Sequence, residues 1–150
     1  MALDTILLAV GPNDADRTDK LASTVIDIAG PAGAEVVVAH VFTDDEYESV
    51  VDRLEFDSVA ETEADEVADR HTTVRDLRTL LNDADIDTSV RGAVGDHGEE
   101  IVSLAGMTRA DLAVVGGRKR SPAGKAVFGS TAQEVMLNAP CPVTFVRGDE

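Results

Sequence analysis

Four short apolar runs, TILLAV at residues 5–10, EVVVAHVF at 35–42, DLAVVG at 111–116 and PVTFVR at 142–147, recur along this chain with amphipathic stretches between them. Runs of this length bounded by Gly, Pro, Asp or Asn read as strands, and the second is apolar for long enough to be buried on both faces. The intervening segments carry helical spacing. From Asp14 or Asp16, Leu21, Ala22, Val25, Ile28 and Ala29 mark one helix face, with Gly30-Pro31 expected to stop it. Residues 43–57 are acidic and read as a loop with a helical turn. Ser58 and Glu61 make a capping box, after which Ala60, Ala64, Val67, Ala68, His71, Val74, Leu77 and Leu81 line one long helix. Thr88, Val90, Gly92 and Val94 alternate, as in a half-exposed strand near a sheet edge. Asp96 with Glu99 opens a helix through Ile101, Val102, Leu104 and Ala105, and Gly129-Ser130 opens a last one with Val135 and Met136 inward.

The order β-α-β-α-β-α-β-α-β places the chain in the α/β class, with a parallel sheet, helices on both faces and right-handed crossovers. At 150 residues it is expected to form one domain, 1–150. Ligands of such sheets sit beyond the carboxyl ends of the strands, where the strand order reverses. The most Gly/Pro-marked connections after strands are GPNDAD and GGRKRSPAGKAVFG, which follow strands one and four. They meet at that crevice if the two strands are neighbours.

Charge narrows the partners. With 29 Asp+Glu against 13 Lys+Arg the net charge is −16, and three of the cations are lysine. An anionic coat of this density keeps a protein soluble where salt screens ordinary electrostatics, so we read it as adaptation to a salty, halophilic cytoplasm; an ordinary acidic protein is the other reading. Nucleic acid is not an expected partner, since a positive surface is missing. No 18-residue apolar run occurs and MALDTILLAV leads straight into a strand, so neither a membrane span nor a signal peptide is expected. A single cysteine, Cys141, fits a reducing, cytoplasmic setting and reads as a small buried filler.

Against this background the window 112–133, between Asp111 and Glu134, contains no acid and holds Arg118, Lys119, Arg120 and Lys125. A phosphate site on so anionic a chain has to clear its carboxylates locally and supply cations and backbone N–H groups. The window ends in Gly129-Ser130-Thr131 at an expected helix start, where unpaired N–H groups and a partial positive charge can hold phosphate. Ser130 with Gln133 is equally an ordinary capping pair that needs no ligand. Other nucleotide signatures fail. Gly124-Lys125 is followed by Ala126 where a P-loop needs Ser or Thr, and no G-x-G-x-x-G follows the first strand. His40, His71 and His97 show no metal-ligand spacing: His40 reads as a hydrogen-bonded core residue, His71 as packed and His97 as exposed. No catalytic group stands out.

Six segments, ILLAVG, AEVVVAHV, GAVGDHGEEIVSLA, ADLAVVGG, GKAVFGSTAQEV and APCPVTFVR, follow one another in the order and spacing of a known family. Over nearly its whole length the chain resembles universal stress proteins of the UspA type. The resemblance implies a single open five-stranded parallel sheet of order 3-2-1-4-5, Rossmann-like, in a protein that is usually a homodimer; the short apolar last strand, at the sheet edge, is the expected dimer contact. It also implies, in the nucleotide-binding branch, a loop of pattern G-x2-G-x9-G-[ST] around ATP phosphates. Here that pattern reads Gly116, Lys119, Gly129 and Ser130, with Lys119 in place of the second glycine, and Thr131 follows as a further phosphate-facing residue. The family's acidic residue after strand one falls on Gly11, for which Asp14 or Asn13 is a substitute from a shifted loop. Val10, Gly11 and Val41 would frame base and sugar. Two functions follow. In one, the chain binds ATP or another adenine nucleotide, with or without Mg, and turns it over at most very slowly. In the other, it is a dimeric interaction protein of the same family that binds none.

Overall fold

A computed structural model describes residues 3–11, 14–53, 64–117 and 129–147, with side chains of 51–53 left aside. The central strand β1 (Thr5–Val10) pairs with β2 (Glu35–Phe42) on one side and β4 (Leu112–Gly117) on the other. Outside these lie β3 (Thr88–Val94) and β5 (Val143–Arg147), so all five strands are parallel in the order 3-2-1-4-5. The chain is therefore α/β, with a Rossmann-like sheet, as the alternation of runs implies.

The side-chain period of two divides β1 between two cores. Ile6, Leu8 and Val10 pack with α1 (Thr18–Ala32) and α4 (Thr72–Asp83), while Leu7 and Ala9 pack with α5 (His97–Met107) and α6 (Ser130–Asn138). Every β1 residue from Ile6 on is buried, consistent with a strand covered on both faces. A third, smaller cluster joins Phe42 at the end of β2 to Tyr47 and Val50 of α2 (Asp44–Arg53) and to Val67 and Ala68 of α3 (Ala64–Asp69).

Four local expectations are revised. Residues 44–53 are a regular helix, not a loop: Thr43 and Glu46 cap it reciprocally, Thr43 Oγ1 accepting from Glu46 N at 3.2 Å and Glu46 Oε1 from Thr43 N at 2.8 Å. The Ser58–Glu61 box lies outside the described residues. The expected long helix is two helices broken at His71, whose extended backbone (φ −69°, ψ 132°) starts α4. The break turns the chain from β3, against which α3 lies, toward α1, against which α4 packs on the same face of the sheet. α1 is preceded by a 3-10 turn at Asp14–Arg17, and it runs through Gly30-Pro31 to Ala32. Asp27, whose carbonyl loses its helical donor at Pro31, is solvent-exposed, and Gly33 closes the helix in the left-handed region at φ 69°. Lastly, α6 starts at Ser130 with Gly129 as its N-cap, so Ser130 lies inside the first turn and is not the cap. By contrast α5 opens as expected, with Asp96 Oδ2 accepting from Glu99 N at 3.0 Å.

Candidate functional site

The ladder between β1 and β4 is short. It joins Ile6 to Leu112, Leu7 to Ala113 and Leu8 to Val114, and there it ends, although β1 continues to Val10 and β4 to Gly117. On their outer sides the same strands stay paired, Val10 with His40 and Gly117 with Arg147. The two strands therefore part at their carboxyl ends, at the point where strand order reverses, and a crevice of about 420 Å3 opens between them. That volume suits a small organic ligand.

One wall is apolar: Ala9, Val10 and Val41 from the strand ends, with Ile101 of α5 and Val115 of β4. The facing wall is the first turn of α6. Its first helical hydrogen bond runs from Gln133 N to Gly129 O at 3.0 Å, so the N–H groups of Ser130, Thr131 and Ala132 have no partner within the helix and face out of its end. No acid stands in that turn. All three residues, with Gly129, line the crevice. An apolar cleft closed by a helix N-terminus offers a stacking surface for a flat ring and a partial positive charge for an anion.

Of the eight residues singled out in the sequence, the structure brings seven to this crevice: Val10, Gly11, Val41, Gly116, Gly129, Ser130 and Thr131. Lys119 lies outside the described residues, as do Asn13 and the other cations of the acid-free loop. Asp14, the alternative acid, is buried in the same place. Its Oδ2 accepts from Gly11 N at 2.6 Å and its Oδ1 from Arg17 Nε at 2.7 Å, so the carboxylate folds back over the residue that lacks one. A Cβ on Gly11 would come 3.5 Å from Asp14 Oδ2, which puts the Asp14 acid beside the position of the missing side chain.

Two crevice residues with side chains able to carry positive charge escaped the sequence reading. Arg17, its side chain 12% exposed, crosses from the 3-10 turn to the end of β4. The available signal was modest: it is the first cation of the chain and stands three residues after Asp14. His97 was expected to be exposed; its side chain is 24% exposed, it lines the crevice, and Nε2 lies 3.0 Å from Glu46 Oε1. Burial works to raise the Glu46 carboxyl, but the Thr43 N–H and then His97 more than offset it and hold the acid below its ordinary range. Sequence could not pair His97 with an acid 51 positions away.

His40 is the hydrogen-bonded core residue the sequence suggested. It is 3% exposed, its Nδ1 stands 2.8 Å from Val10 O, and it packs between Phe42 and His71 with ring centroids 4.5 and 4.3 Å away. Because a carbonyl only accepts, Nδ1 carries the proton and donates. This bond ties the last residue of β1 to the strand that carries Val41. Cys141 is half-buried against the α5/α6 core, more exposed than a buried filler would be.

Sheet order, crevice position and helix terminus together define a doubly wound α/β protein with a crevice at its topological switch point. The family model described as the Universal stress protein family matches residues 2–147, and the chain belongs to that family. A universal stress protein of Mycolicibacterium smegmatis is 37% identical over 79 residues, a match spanning 52% of this chain and 61% of that relative, less than two thirds of its length. A universal stress protein structure from Archaeoglobus fulgidus superposes with TM-score 0.69 at 25% identity, covering 96% of this chain and 98% of that one. Another structure from that organism, a complex with dAMP, has TM-score 0.66 at 19% identity over 98% of this chain and all of that one (100%). Among the described residues no helix is long and apolar enough to cross a membrane.

Proposed function

We propose that this chain binds an adenine nucleotide, ATP or another, in the β1–β4 crevice and serves as a cytoplasmic stress-response protein with slow turnover or none. The observation that carries the reading is the parting of β1 and β4 beyond Leu8 and Val114, which leaves an apolar slot ending on the bare first turn of α6. In this reading the base lies by Val10 and Val41, the sugar by Gly11, and the phosphates by Gly116, Gly129, Ser130 and Thr131. Lys119 joins them from the loop, and Mg accompanies the phosphates of ATP. A relative of the same fold holding dAMP supports a ligand of the adenine class.

The test is a thermal-shift titration with ATP and AMP in molar salt, the medium suggested by a net charge of −16. Ligand at about 100 times its dissociation constant adds roughly 2.7 kcal/mol of stability and raises the melting temperature visibly. No shift with either compound, together with no nucleotide in acid extracts of the purified protein, would rule the reading out in favour of an interaction protein.

A further inference from the structure

We infer that Arg17 is the residue that reads the phosphate nearest the sugar, with Asp14 as the positioning residue that aims it; this rests on the nucleotide reading above. Asp14 is 4% exposed and accepts from both Gly11 N and Arg17 Nε, which fixes the guanidinium at its Nε edge. Among the described residues this is the one ion pair Arg17 makes, and it engages Nε, so the Nη1 and Nη2 edge has no charged partner there. A guanidinium held in this way presents two parallel N–H donors, the geometry that a phosphate accepts in bidentate fashion.

Gly116 shows how closely the arrangement is built. A Cβ there would come 3.1 Å from Arg17 Nε and 3.1 Å from Asp14 Oδ1, so the pair lies directly over the glycine at the end of β4. Arg17 lines the same crevice as the apolar slot and the first turn of α6, and through Asp14 it is tied to Gly11, where the sugar lies in the nucleotide reading. Charge explains why both residues are needed. A buried carboxylate at the crevice would repel phosphate, and the arginine cancels it while adding donors of its own.

The experiment is calorimetric titration of the wild type and of Arg17→Gln with adenosine, AMP and ATP in molar salt. Arg17→Gln is expected to weaken AMP and ATP about tenfold, as for one charge-assisted contact, and to leave adenosine unchanged. Arg17→Lys, measured beside it in case the glutamine variant does not fold, is expected to weaken AMP and spare adenosine. Equal weakening of all three ligands overturns the assignment, because the arginine would then only hold the turn together. Unchanged AMP binding overturns it too, as does a wild type that binds AMP no more tightly than adenosine. A wild type that binds none of the three sinks the nucleotide reading and this inference with it, a result distinguishable from the others.

Discussion

At the scale of single residues, His40 shows how a polar side chain in the core is tolerated and what it costs. Burial, and next the neighbouring His71, lower its pKa from 6.5 to about 4, while the Val10 carbonyl works in the opposite direction. The unfolded chain therefore binds a proton near pH 6.5 that the folded chain refuses until about pH 4. Stability is full above the unfolded value and falls as pH drops through this window. His40 alone should lower the unfolding free energy by about 2 kcal/mol between pH 7 and pH 5. Urea unfolding at the two pH values checks this against His40→Asn, which keeps a donor for Val10 O without the titration. An equally large drop in the variant would place the effect elsewhere. The same residue illustrates what a sequence reading can do. A lone histidine amid EVVVAHVF has to satisfy its polar atoms inside a strand, so its bonded state was legible, but its partner 30 positions away was not.

Among elements, the edge strand β3 depends on how α3 lands on it. Gly92 N donates to Asp65 Oδ1 at 2.7 Å, and a Cβ at Gly92 would run into the Ala64 carbonyl. The helix start thus takes up a backbone donor of an edge strand, which blunts that edge against pairing with other chains. Gly92→Ala should cost about 2 kcal/mol, since backbone and not a flexible side chain must give way. A loss below about 0.5 kcal/mol in urea denaturation would mean that α3 moves aside freely. The alternation of Thr88, Val90, Gly92 and Val94 announced a half-exposed strand, whereas the contact that makes Gly92 a glycine came only from packing. The break at His71 has the same origin. Helical periodicity continues across it in the sequence, so nothing local marks the point where the chain turns from β3 toward α1.

For the whole molecule, the open edge of β5 and the net charge pull in opposite directions. Strand order leaves β5 on the outside of the sheet, with Val143, Thr144 and Phe145 half-buried in the isolated chain. We propose that it pairs with its counterpart across a two-fold axis. Two protomers of charge −16 repel one another, and salt screens that repulsion to a few ångströms at molar strength. Sedimentation at micromolar concentration should therefore show a dimer in molar salt that dissociates as salt is removed; a monomer at high salt would exclude the β5 contact.

What the sequence determined by itself was the order of strands and the class of sheet, because both follow from local periods of two and 3.6 and from turn chemistry that acts within a few residues. It also pointed to the two connections whose described ends, Gly11, Gly116 and Gly129 among them, line the crevice, since a parallel sheet must reverse its order somewhere. Tertiary structure decided the rest: that β1 and β4 part after three paired residues, that Asp14 turns back to Gly11, and that Arg17 comes to lie over Gly116. Arg17 and Gly116 are 99 positions apart in sequence (116 − 17), and only closure of the sheet brings them together. Contacts over such distances are set by how whole elements pack, and no periodicity in the chain encodes them.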